Sequence, residues 1–191
     1  QTYNAEGKWD RSAGEYHMFY VLSTDGGATW GEKQKLYTGA IRNGSPYGHI
    51  VLLKDGIALM SLYGARDPAW QGPPEVPEAE RYIVGLVRSR DNGRTWSDFS
   101  LISPKTHNET QLLALTDDHL LAMLRTDAGG LDQSESHDGG RTWSTPKRVL
   151  DPPQHPADIT RLASGKLLLT HGHRQEPYGV GAMLSEDNGQ T

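Results

Sequence analysis

The hydrophobic pattern has a period of two, and it recurs. Apolar residues alternate or cluster over residues 47–53, break at Lys54-Asp55-Gly56, and resume over 57–63. The same succession returns at 109–115, Asp117-Asp118 and 120–125, and again at 158–162, Ser164-Gly165 and 166–171. Short runs of this kind, bounded by Gly, Asp and Ser, predict antiparallel strands joined by tight turns. A third run follows each pair, at 82–89, 131–136 and 178–185.

Each third run ends in one octapeptide, Ser-x-Asp-x-Gly-x-Thr-Trp, found at 23–30, 89–96 and 136–143, with a fourth copy at 185–191 that stops at Thr191. Every fixed position has a use in a hairpin. The Asp accepts hydrogen bonds from backbone N–H groups of the turn, the Gly and its Asn or Gly neighbour take positive φ, and Thr and Trp open the return strand with a large apolar anchor. The copies start 66, 47 and 49 residues apart. A four-stranded propeller blade needs about 40–50 residues, so the first interval is one blade plus an insertion. That insertion is placed at 64–81, where Pro68, Pro73, Pro74, Pro77, Trp70 and three glutamates (Glu75, Glu78, Glu80) make a stiff loop, read either as a rim or lid or as a solvated excursion without function.

The predicted fold is therefore all-β, built from four-stranded antiparallel blades. Composition agrees, since 22 Gly and 11 Pro in 191 residues suit a chain of tight turns. A formal charge of -5 without a basic run argues against nucleic acid or an anionic membrane as partner. No apolar stretch approaches the roughly 20 residues that span a bilayer. The absence of cysteine removes disulfides, thiolate metal sites and a cysteine nucleophile. His155, Asp158, His171 and His173 match no zinc spacing, so no metal and no cofactor is expected.

Antiparallel connectivity also sorts the loops. The turn between strands one and two lies at the same end as the octapeptide turn, and the remaining connections lie at the other end. That second face collects Arg42, Arg66, Asp67, Asn108, Glu109, Arg125, His155, Asp158, Arg174 and Tyr178, which makes it the expected site face.

The octapeptides resemble the Asp boxes, or BNR repeats, of the sialidase (neuraminidase) family, and the resemblance runs over nearly the whole chain. It implies a six-bladed propeller in the parent, of which 1–191 reads as a single domain incomplete at both ends, with about three to four blades. It also implies an exo-acting hydrolase of terminal sialic acid or a related acidic sugar, with a glycan as partner, and favours a secreted or periplasmic location over a cytoplasmic one. The segment from Asn108-Glu109 to Arg125 looks like the sialidase segment that carries a catalytic glutamate and, one strand later, a clamp arginine.

In that family three arginines grip the substrate carboxylate, a glutamate takes the proton of a tyrosine nucleophile, and an aspartate is the acid/base. Guanidinium forks suit a carboxylate, and a tyrosine needs a neighbouring base to become nucleophilic. The resemblance thus implies a base role for Glu109 and substrate contacts for Arg125 and, in the loop after His173, for Arg174. Asp67 and Asp158 join them as substrate-binding candidates on the same face. The family's acid/base aspartate and nucleophilic tyrosine map outside these residues, and the strand-three arginine is replaced by Gly181 and Met183. Two other readings stay open: a Glu109–Arg125 ion pair that only closes a blade, and a non-catalytic propeller that binds glycans or proteins.

Overall fold

The computed structural model describes residues 17–72, 82–105 and 107–190, all of them strand, turn or coil. Strands β1 (Met18–Tyr20) and β2 (Gln34–Leu36) form a two-stranded sheet that precedes the first full blade. That blade runs β3 (Ile41–Leu52), β4 (Ala58–Arg66), β5 (Tyr82–Ser89) and β6 (Ser97–Ser103), neighbour beside neighbour. The second repeats it with β7 (His107–Ala114), β8 (Leu120–Thr126), β9 (Leu131–Ser136) and β10 (Lys147–Leu150). A three-stranded sheet follows, made of β11 (Gln154–Arg161), β12 (Leu167–His173) and β13 (Gly179–Ser185). Every pairing is antiparallel.

The alternating direction of side chains along a strand sorts the core. In β8, Leu120, Ala122 and Leu124 face the first blade and join Leu59, Val84 and Leu86. The alternate residues Leu121 and Met123 face the third sheet and meet Ile159, Leu167 and Leu169. Both faces of the strand are buried, because in stacked blades each sheet is sandwiched by its neighbours.

The octapeptide turns repeat one hydrogen-bond pattern. The Ser hydroxyl donates to its Asp at 2.7, 2.9, 2.8 and 2.7 Å and accepts the Gly N–H at 2.8 Å in all four copies. In the three copies whose Thr is described, the Asp carboxylate takes the Thr N–H and hydroxyl. Positive φ falls on two consecutive residues each time, Gly26-Gly27, Asn92-Gly93, Gly139-Gly140 and Asn188-Gly189. Trp96 and Trp143 donate their indole N–H back to the box glycine at 3.1 Å. The return strands begin at Gln34, Ser97 and Lys147, beyond the Trp, so the indole anchors the turn and not the strand. Trp30 is 64% exposed and anchors little.

These turns carry an acid liability. The hydrogen bonds from Thr29 and Thr95 hold the carboxyls of Asp25 and Asp91 at about 2, and at Asp138 those from Thr142 prevail over burial with the same result. A carboxyl depressed by folding stabilises the fold fully above its free value of 3.8 and loses that contribution as pH falls towards 2. The urea midpoint is therefore expected to drop between pH 4 and pH 2, with a shallower fall in Asp91→Ala. A midpoint flat across that window would contradict the assignment.

Two boundaries differ from the sequence expectation. β3 begins at Ile41 and β4 continues to Arg66, so Arg42 and Arg66 are strand residues rather than loop residues. The stretch Asn43-Gly44-Ser45-Pro46 has no apolar alternation, yet Gly44 lies opposite Gly64. A Cβ on Gly64 would stand 2.5 Å from the Gly44 Cα, so the two bare glycines are what let the strands continue. The insertion thus starts at Asp67, and its first turn is packed down by Trp70, edge-on to Phe99 at 5.5 Å. Its glutamates and Pro73, Pro74 and Pro77 lie outside the described residues.

Candidate functional site

The innermost strands β3, β7 and β11 each lose regular register where the candidate residues sit. The breaks fall between Tyr47 and Val51, between His107 and Thr110, and between Gln154 and Ala157. Bulges re-aim side chains at sheet edges. Here they carry Tyr47 to His49, Glu109, and His155 respectively.

The bulge at Glu109 is held by its neighbours. Asn108 Nδ2 donates to Asp127 Oδ1 at 3.0 Å, Asn108 Oδ1 accepts the Glu109 N–H at 2.9 Å, and Thr110 Oγ1 donates to the Asn108 carbonyl at 2.7 Å. Ser61 Oγ lies 2.7 Å from the Tyr47 carbonyl and 2.6 Å from that of Thr110, which ties the first blade to the second just below the site. At Gly48 the backbone has φ +76° and approaches Gln111, whose side chain accepts the His49 N–H at 3.2 Å. A Cβ there would be 2.0 Å from Gln111 Oε1, so the close approach requires glycine.

On this frame Arg125 Nη1 donates to Glu109 Oε2, both side chains being about three-quarters buried. Arg125 Nε and His155 Nδ1 are buried and have no hydrogen-bond partner among the described residues. Arg174 is exposed and reaches back to donate its Nε to the His155 carbonyl at 2.8 Å. Asp158 Oδ1 lies 3.5 Å from His49 Nε2, with both groups open to solvent.

The charges act on one another. Burial, then the positive charges of Arg125 and Arg174, lower the His155 pKa against the pull of Glu109. His155 is accordingly neutral at pH 7. Burial, then the carboxylates of Glu109 and Asp158, raise the Tyr47 phenol, which favours its protonated form. Glu109, Arg125, Arg174 and Asp158 thus belong to one cluster with Tyr47, His49 and His155. Asp67 stands apart from these contacts: its Oδ1 accepts the Ala69 N–H at 2.8 Å and closes the turn that opens the insertion.

A cavity of about 250 Å³ lies elsewhere, between the second and third sheets, walled by Met123, Ile159, Leu167, Leu169 and Met183. It is a gap in blade packing and holds none of the titratable cluster.

The BNR repeat-like domain family matches residues 3–191. The chain belongs to that family. A curated sialidase of Paraclostridium sordellii is 26% identical over 194 residues, covering 91% of this chain and 45% of that protein. The chain therefore spans less than half the length of that curated relative. Among solved structures, the NanB sialidase of Streptococcus pneumoniae superposes with a TM-score of 0.64 at 19% identity, over 88% of this chain and 26% of that one. The Hadza microbial sialidase Hz136 does so with 0.63 at 19%, over 92% and 35%. These structures establish the sialidase-type β-propeller fold and nothing finer.

In this BNR-repeat propeller, Tyr47 and His49 are members of the cluster that the sequence reading missed. The signal was available, because Tyr47, Glu109 and Asp158 open the corresponding runs of the internal repeat. Gly181, where a family arginine was sought, faces the His171 ring, and a Cβ there would lie 2.3 Å from its Cε1. That ring fills the space a side chain at 181 would need.

Proposed function

We propose that the full-length protein is a sialidase-like exo-glycosidase for a terminal acidic sugar, with Glu109 as the base and Arg125 and Arg174 as carboxylate contacts. The observation that carries this reading is the bulge-held Glu109–Arg125 pair, surrounded by Tyr47, His155 and Asp158. Two guanidinium groups supply planar donors for a carboxylate, while a protonated phenol, a neutral imidazole and an exposed aspartate suit sugar hydroxyls. In the proposed reaction Glu109 takes the proton of a nucleophilic tyrosine, the exception among glycosidases to a pair of carboxylates.

The test is release of a fluorogenic aglycone by the full-length protein from a sialoside and from a panel of neutral and uronic glycosides. Turnover confined to the sialoside supports the reading. A folded protein that turns over none of the panel overturns it, and saturable sialoside binding without turnover would identify a glycan-binding propeller.

A further inference from the structure

The opposite face, where the octapeptide turns lie, carries a second polar cluster that the proposed glycosidase chemistry does not use. His119 belongs to the turn between β7 and β8, Glu135 to the end of β9, and His137 stands inside the box 136–143. His119 Nε2 lies 3.2 Å from Glu135 Oε2, and His137 Nε2 lies 3.6 Å from the same oxygen. A candidate ligand atom from each of the three residues falls within 4.8 Å of the others. The two imidazoles lie against each other with centroids 4.3 Å apart and planes 33° from parallel.

The two separations to Glu135 suit a coordination polyhedron. Zinc binds histidine nitrogen and carboxylate oxygen at about 2.0–2.2 Å, which in a tetrahedron puts neighbouring donors roughly 3.3–3.5 Å apart. The two histidine-to-glutamate separations bracket that value. The donor set, two imidazoles and one carboxylate, is that of a three-ligand zinc site with one position left for water. His137 is 71% exposed and leaves that side open, while Glu135 and His119 are 20% and 25% exposed.

The surrounding bonds orient the donors. Glu135 Oε1 accepts the Gln190 side-chain amide at 3.0 Å and that of Gln133 at 3.4 Å, which leaves Oε2 turned to the histidines. Its backbone is fixed by Ser144, and the His119 N–H is held by Thr116 Oγ1 at 3.0 Å. Such outer bonds to a ligating carboxylate are what set a metal site's geometry. We propose that His119, Glu135 and His137 form a binding site for a zinc-class divalent cation. Because Gln190 comes from the box of the third sheet, a bound ion also stiffens the contact between the second and third sheets.

The experiment is calorimetric titration of the full-length, tag-free protein with Zn²⁺, followed by thermal melts with and without the ion. Residues 1–191 hold eight histidines and no cysteine, so no thiolate from this stretch contributes. The expected result is saturable binding of Zn²⁺, a rise in Tm on addition, and reversal by a chelator. Affinity should fall at least about tenfold in His119→Ala and in Glu135→Gln, and stay unchanged in the control His173→Ala. Visible absorption of tetrahedral Co²⁺ should appear in the wild type and vanish in His119→Ala. No saturable binding, or binding that survives both substitutions, would overturn the proposal.

Discussion

Replacing Glu109 by Gln is expected to lower turnover of a fluorogenic sialoside by a factor of about 10²–10⁴, the range that a positioned general base contributes. The thermal transition should move by roughly 2 °C or less. Gln keeps the size of Glu and an oxygen that can still accept from Arg125, so the bulge and its bonds to Asn108 and Thr110 survive. What it loses is the charge. The pair is about one-quarter open to water on both sides, so its ionic contribution is of the order of 1 kcal/mol. If the pair only closed the blade, the same substitution would lower Tm and reduce activity merely in proportion to the folded fraction. Kinetics and melting recorded on the same preparation separate the two cases, and turnover near that of the wild type would remove Glu109 from the mechanism.

Leu121→Ala is expected to cost about 2–5 kcal/mol of stability. Leu121 is completely buried on β8 and sits among Leu115, Leu131, Ile159 and Leu167, drawn from both the second blade and the third sheet. Side chains anchored on two separate sheets cannot collapse far into the space left behind, so lost contact and residual cavity both count against the variant. Leu52, 72% exposed at the end of β3, is the matched control, and Leu52→Ala should stay within about 0.5 kcal/mol. Urea denaturation of both variants makes the comparison. A cost for Leu121→Ala below about 1 kcal/mol would mean that the two sheets are not packed through β8 in solution.

The strand order, the turns and the buried alternation are decided close along the chain. A Ser-x-Asp-x-Gly-x-Thr turn is closed by bonds spanning two to four residues, and its glycines answer to local φ, so each copy is legible without knowing what it packs against. Strands bounded by such turns have little choice of register, because a short hairpin turn fixes which residues pair across it. Glu109 and Arg125 were legible as neighbours for the same reason, lying at one end of paired strands.

What the tertiary structure alone decided depends on contacts across sheets and on irregular backbone. Tyr47 meets the field of Glu109 and Asp158 because three innermost strands from three sheets converge, each broken in register at that level. A bulge reverses the direction of the side chains beyond it, and no period-two pattern announces where it falls. The same applies to His119, Glu135 and His137, which come together from a turn, a strand end and a box. The continuation of β3 and β4 past the apolar run rests on two glycines twenty residues apart lying face to face. Local chemistry thus determined the blades, while long-range packing determined which of their polar side chains share a site.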